Sequence, residues 1–154
     1  MQTTLRTPIG ELLLDAGEAG LRACGTWSKR ELLPDDSRAA RLHLEHARAL
    51  LADYFRGAAY DFSELTLAPS GTPFQLVVWK ALRGIPHGTA ISYGELGRRI
   101  GRSGAARAVG SANAKNPIGI IQPCHRVIGH DGELVGFAGG LSMKKWLLRH
   151  EGAI

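Results

Sequence analysis

Cysteine is scarce in this chain: 154 residues hold two, Cys24 and Cys124, and neither stands in a CxxC pair. A disulfide scaffold is therefore excluded, and even one bridge would require an oxidising compartment, so two free thiols are expected. The six histidines are scattered, a structural zinc site would have to recruit several of them from distant places, and no metal is expected. Long apolar runs are missing too. Nothing approaches the roughly eighteen uninterrupted apolar residues of a membrane span, and the start, MQTTLRTPIGELLLDAGEAG, lacks a basic segment followed by an apolar one. A cytoplasmic protein with no membrane partner is expected. Aromatic residues are few, 6%, yet the hydrophobic fraction of 44% and charged fraction of 21% are those of a chain that folds around a core of its own.

Acidic residues are the other shortage, and only in one half. Residues 1–69 carry 8 Lys or Arg against 10 Asp or Glu, whereas residues 70–154 carry 11 against 4. The net charge of +5 is thus −2 in the first half and +7 in the second. A polyanion such as nucleic acid is the natural partner of such a half, although a solvated basic surface would look the same by charge alone.

In the first half, apolar runs at Ile9–Leu14 and Leu21–Cys24 flank a Gly-rich turn and predict a hairpin. From Ser37 to Phe55, Ala40, Leu42, Leu44, Ala47, Leu50, Leu51, Tyr54 and Phe55 recur with helical spacing, capped by Asp36 or Ser37 and stopped by Gly57. A short strand is expected at Tyr60–Leu65, and a Pro-Ser-Gly loop at 69–71 ends the half. In the second, Thr72 caps a helix with Pro73 in its first turn, running to Leu82. The stretch ISYGELGRRIGRSGAARAVGSANAKN then reads as two short helices, about Tyr93–Ile100 and Ala105–Ala114, around a glycine turn. Helical hairpins of this kind mostly do not touch DNA, but here Arg98, Arg99, Arg102, Arg107 and Lys115 face only Glu95. AARAVGSANA is built of small residues that permit close packing, and Arg107 is the long cation among them. The fold class expected is α/β (α+β): a small amino-terminal α/β lobe with a short antiparallel sheet, residues 1–69, and a helical lobe with a helix-turn-helix, residues 70–154.

The chemistry concentrates in IIQPCHRVIG, residues 120–129. A lone cysteine is usually an inert core residue, which suits Cys24. Cys124 sits beside His125 and Arg126, cations able to lower a thiol's pKa and favour the reactive thiolate. In an extended strand adjacent side chains diverge, so Cys124 and His125 cooperate only if the chain turns. Pro123, suited to the first position of a helical turn, favours that, and free backbone N–H groups there would favour a thiolate further. The last segment, LSMKKWLLRHEG, predicts a helix with Leu141, Met143, Trp146, Leu147 and His150 on or near one face. Glu151 at its end is by default a solvated carboxylate; behind His125 it would be the third member of a Cys, His, acid relay. Asn116-Pro117 reads as a turn whose Asn side chain, if buried, can bridge two backbone segments.

Six landmarks run in order through most of residues 72–152: GTPFQLVVWKAL, ISYGEL, AARAVGSANAKNP, IIQPCHRVIG, GFAGG and KKWLLRHEG. With these the chain resembles the O6-alkylguanine-DNA alkyltransferases, and TPIGELLL and YFRG resemble the amino-terminal half of bacterial members. The resemblance implies a stoichiometric, single-turnover DNA repair transferase that flips the base and moves an alkyl group, a methyl above all, from O6-alkylguanine, with O4-alkylthymine as a further substrate, onto Cys124. No cofactor is implied. His125 would draw off the thiol proton through a water, Glu151 would stand behind it, and Asn116 would brace the turn. Arg107 would enter the duplex from the minor groove and fill the space of the flipped base, and Tyr93 would crowd the neighbouring phosphate. Ser92, Arg98, Arg102, Ala108, Ser111 and Lys115 would complete the contact with double-stranded DNA, met by a monomer capable of cooperative binding. Val127, the ring of Phe137 and backbone near Ala138 would line the pocket. Many members have tyrosine where this chain has Phe137, so the stacking face is kept and a phenol hydroxyl is absent. The zinc site of some members is not matched, since the first half offers only Cys24.

Three other readings compete. A non-catalytic lesion binder of the alkyltransferase-like type would lack the acceptor cysteine; a plain helix-turn-helix regulator leaves His125 and Glu151 unexplained; a cysteine hydrolase would need an oxyanion-hole or nucleophile-elbow pattern that is missing.

Overall fold

The computed structural model describes residues 1–26, 34–58, 61–137 and 139–154, divided into two compact units, Met1–Ser70 and Gly71–Ile154. In the first, β1 (Gln2–Thr7), β2 (Gly10–Gly17) and β3 (Gly20–Gly25) form an antiparallel sheet in sequential order. β2 and β3 are the expected hairpin, with Leu14 opposite Cys24. β1 is an addition: its residues alternate between exposed and half-buried, and an edge strand with one large apolar residue, Leu5, leaves little periodic signal. Helix α1 (Arg38–Phe55) starts at Ser37, whose Oγ accepts from the Ala40 N–H at 3.1 Å. Ala40, Leu44, Ala47, Leu51 and Tyr54 form its buried stripe, whereas Leu42, counted in the expected stripe, is 53% exposed.

The strand expected at Tyr60–Leu65 does not form over its described part, 61–65; Tyr60 itself lies outside the described residues. Phe62 adopts a φ of 56° and the Leu65 N–H donates to its carbonyl at 3.0 Å, making a turn. The buried Phe62 ring packs on Tyr54, centroids 5.7 Å apart. With Phe62 in the left-handed region the chain turns instead of extending, and the sheet is met later, where Leu67 bridges Leu21 in parallel.

The second unit is helical. Thr72 and Gln75 form a reciprocal capping box at the start of α2 (Pro73–Leu82), Pro73 supplying the pre-set φ of the first turn. Ser92 caps α3 (Tyr93–Arg99), and a turn with Gly101 and Gly104 at positive φ leads to α4 (Ala106–Ala114). Gly97 lets this pair close up: a Cβ there would lie 3.0 Å from the carbonyl of Arg102, within the turn. Two short parallel strands, β4 (Ile91–Ser92) and β5 (Val127–Ile128), tie the start of α3 to the segment after Cys124. Helix α5 (Leu141–His150) ends the unit.

The core of this unit is Val78, Trp79, Leu82, Ile85, Leu96, Val109, Ala112, Val127 and Cys124 itself. Trp79 is its keystone: the indole N–H donates at 2.8 Å to the Ala112 carbonyl in the last turn of α4, which also accepts from the Lys115 N–H at 3.2 Å. Gly71 lies against the same ring, where a Cβ would come within 2.5 Å of it. Trp79→Phe removes the donor and leaves part of the indole's volume in the core unfilled, so it should lower stability by roughly 1–3 kcal/mol, the combined scale of a lost buried hydrogen bond and a small cavity. Urea unfolding followed by circular dichroism measures this; wild-type stability in the variant would contradict it.

Candidate active site

Cys124 opens a single 3-10 turn, Cys124–Arg126, so it and the next two residues do not alternate as they would in a strand. Pro123 stands just before the turn rather than inside it, with φ −78° and ψ 67°. The turn is closed by the Arg126 N–H on the Pro123 carbonyl at 3.0 Å. Cys124, His125 and Arg126 are all buried, and so is Glu151.

These side chains form one network. His125 Nε2 lies 2.8 Å from Glu151 Oε2. Arg126 grips the same carboxylate, Nε donating to Oε1 at 2.7 Å and Nη2 to Oε2 at 2.9 Å, while Nη1 donates to the Ile85 carbonyl at 2.7 Å. The expectation that Arg126 acts as a cation beside the thiol is therefore corrected: its guanidinium is committed to Glu151. Burial alone would raise the Glu151 pKa, but the hydrogen bonds from His125 and Arg126 hold the carboxyl well below the usual carboxylate range. Burial pushes His125 down, against the pull of Glu151 and with help from the charges of Arg126 and Lys144. His125 is thus neutral at rest, and its other nitrogen, Nδ1, is buried with no hydrogen-bond partner among the described residues.

The thiol departs from expectation as well. Burial pushes Cys124 up, outweighing the Asn116 amide, the Lys144 charge and the backbone N–H groups of Cys124 and His125, all of which favour a thiolate. A protonated thiol and a neutral imidazole are the resting forms that these surroundings favour.

The loop leading to Cys124 is held by Asn116. Its Nδ2 donates to the Gln122 carbonyl at 2.7 Å, and its Oδ1 accepts from the Ile118 N–H at 3.0 Å and from Gln122 Nε2 at 2.7 Å. Between these anchors Ile120 has a φ of 70°, unfavourable for a β-branched residue and sustained only where surrounding bonds over-determine it. Asn113, on the inner face of α4, donates from Nδ2 to the Cys124 carbonyl at 3.2 Å, joining the basic helix directly to the thiol's own residue.

Lys144 completes the site, although the sequence showed it only as a charge in α5. It is fully buried, and Nζ donates to the carbonyls of Val127 at 2.6 Å and Val135 at 2.8 Å. The Tyr93 hydroxyl donates to the same Val135 carbonyl at 3.0 Å. Burial lowers the Lys144 pKa to about 8 and raises that of Tyr93. The buried face of α5 is Lys144, Leu147 and Leu148, continued by Glu151. Leu141, expected on that face, is exposed, and Trp146 instead stacks on His150, centroids 4.7 Å apart. The spacing i, i+3, i+4, i+7 from Lys144 to Glu151 was the available signal, obscured because two of the four residues are charged. Val127 lies in the core that contains Cys124, and Phe137 packs against it. Ala138 lies outside the described residues.

Outside this pocket, α4 presents Arg107, Ala108, Ser111 and Lys115 on its exposed face, opposite Val109, Ala112 and Asn113. Arg102, also exposed, has its guanidinium 5.7 Å from the Phe74 ring centroid. Arg98 and Arg99 are paired with Glu95, and the Ser92 hydroxyl is occupied in capping α3.

Comparison with known proteins follows the same outline. The model of the family described as 6-O-methylguanine DNA methyltransferase, DNA binding domain, matches residues 73–153. A methylated-DNA–protein-cysteine methyltransferase of Salmonella typhimurium is 59% identical over 102 residues, 66% of this chain; the match spans only 60% of that relative's length. One from Methanosarcina acetivorans is 44% identical over 149 residues, 96% of this chain and 95% of the relative. The crystal structure of Mycobacterium tuberculosis OGT in complex with DNA superposes with a TM-score of 0.85 at 41% identity, covering 97% of this chain and 91% of that one.

The hydrogen bonds of the site predict an order of sensitivity. Asn116→Ala removes three buried bonds and frees the strained Ile120 segment, whereas Asn113→Ala removes one, from a side chain whose Oδ1 is already without a partner among the described residues. At about 1 kcal/mol per bond, and more where a buried group is left unpaired, Asn116→Ala should be the more destabilising by roughly 2 kcal/mol in denaturant titration. The reverse order would contradict this.

Proposed function

The chain belongs to the 6-O-methylguanine DNA methyltransferase family, and from that premise we propose that it repairs DNA by moving an alkyl group from O6 of guanine onto Cys124, once per molecule. The observation that carries the proposal is the turn in which a buried thiol precedes a neutral imidazole anchored through Nε2 to Glu151, its Nδ1 left without a partner among the described residues.

The chemistry follows from the protonation states. The thiol is unreactive as such, and the thiolate is the nucleophile. His125 accepts the thiol proton at Nδ1 through a water. The imidazolium that results is stabilised by Glu151, which stays ionised. Sγ attacks the alkyl carbon, the S–C bond forms as the C–O6 bond breaks, and the electron pair passes to guanine O6. The proton ends on the released base, leaving neutral guanine and a thioether. No group in the site can hydrolyse a thioether, so the molecule is consumed.

An O6-alkyl group lies inside the duplex, and extruding its nucleotide costs a few kcal/mol. The exposed face of α4 is suited to support that extrusion. Arg107 reaches out among small residues that let the helix approach a groove closely, with Ala108, Ser111 and Lys115 beside it and Arg102 nearby in sequence. Tyr93, its hydroxyl tied to Val135, crowds the phosphate beside the extruded nucleotide. Val127 and Phe137 supply apolar walls, and the absence of a phenol at Phe137 leaves the base to be bound by stacking and backbone groups. Two cysteines without a disulfide among the described residues suit a reducing cytoplasm.

Two variants separate the roles. Cys124→Ser should abolish transfer from both an O6-methylguanine duplex and free O6-benzylguanine, with DNA affinity nearly unchanged, because a hydroxyl is far less acidic than a thiol. Arg107→Ala should slow the duplex reaction by an order of magnitude or more, the scale expected if a few kcal/mol of extrusion lose support, and leave the free-base reaction near wild type. Transfer in Cys124→Ser, or equal slowing of both reactions in Arg107→Ala, would contradict these roles.

A further inference from the structure

Arg126 takes no part in the transfer itself, yet three of its N–H groups are fixed by buried partners: both oxygens of Glu151 and the Ile85 carbonyl. Glu151 Oε2 accepts from Arg126 and from His125 together. A guanidinium clamped at both carboxylate oxygens sets the plane of the carboxylate, because the planar fork admits essentially one orientation. His125 then meets Oε2 in a fixed direction.

We propose that Arg126 is a positioning residue that neutralises Glu151, so that the carboxylate orients His125 without charging it. This rests on His125 acting as the proton acceptor for Cys124. In a dry pocket an imidazole beside a bare carboxylate gains a proton and becomes one half of an ion pair, and so loses the capacity to accept another. With Arg126 in place the carboxylate already has its cation, and an imidazolium would be a second positive charge. The charged and titratable groups around His125 are Glu151 and Lys144 from α5 and its end, and Cys124 and Arg126 from its own turn; Tyr93 from α3 couples to Cys124. Two of them, Arg126 and Lys144, are cations that oppose protonation. Burial is the main cause of the downward His125 shift, and the charges of Arg126 and Lys144 add to it against the pull of Glu151. Nε2 is then the protonated nitrogen, donating to Glu151, and Nδ1 keeps its lone pair.

The test is the titration of His125, followed by NMR on protein with labelled histidine and paralleled by the pH dependence of transfer from free O6-benzylguanine. Arg126→Met should raise the His125 pKa by about one unit or more, corresponding to about tenfold or more in proton affinity, and move the acidic limb of the rate profile up with it. Arg126→Lys keeps the charge and loses the fork, so the limb should stay while the plateau falls. Because Arg126→Met leaves Glu151 buried without its cation, a change that can prevent folding, Glu151→Gln and the double variant Arg126→Met with Glu151→Gln form a second comparison. There the His125 pKa should be lower in the single variant, where the guanidinium charge is uncompensated, than in the double. A His125 pKa unmoved by Arg126→Met, or equal in the second pair, would overturn the proposal and leave Arg126 a packing residue. The NMR titration involves no alkyl transfer, so it stands or falls separately from the proposed repair reaction.

Discussion

One buried carboxylate organises the reactive centre. Glu151, at the end of α5, is gripped by the two residues that follow the thiol in sequence, His125 and Arg126. Burying a charge is costly unless it is paired and hydrogen-bonded, and breaking such a pair costs far more than never having built it. The network satisfies that condition, since each carboxylate oxygen has a donor and the remaining Arg126 contact goes to a backbone carbonyl. Its result is specificity of geometry rather than stability: it locks the turn to the last helix and fixes His125 Nε2 against Glu151.

The same turn is joined to the basic side of the second unit. Asn113 ties α4 to the Cys124 carbonyl, and Trp79 ties α2 to the end of α4. The helix presenting Arg107 to solvent therefore shares its inner face with the reactive cysteine, whose side chain is itself part of the core. Adding an alkyl group to Sγ in so closely packed a place must displace something, and α4 is in line to feel it through Asn113.

Much of this was readable from the chain because the signals were local. Ser37, Thr72 and Pro73 marked helix starts by side-chain chemistry that acts within three residues, and the glycine turn between α3 and α4 needed only positive φ. Cys124 and His125 stood out because a thiol beside an imidazole is chemically unusual. What escaped depended on distant partners. Arg126 looked like a cation for the thiol because its true partner is 25 positions away. Lys144 looked like a solvated charge because two backbone carbonyls are not residue types that a pattern can display. The strand expected at Tyr60–Leu65 yielded to the left-handed turn at Phe62, and the raised thiol to a burial that overrides favourable neighbours.

The central claim is that Cys124 is the stoichiometric acceptor of the alkyl group. Mixing the protein with excess duplex containing one O6-methylguanine, then measuring intact mass and mapping the modified peptide, tests it most directly. The expected result is a gain of one methyl group per molecule, located on Cys124, with unmodified guanine restored in the duplex. An unchanged mass, or a methyl group carried by another residue such as Cys24, would contradict it.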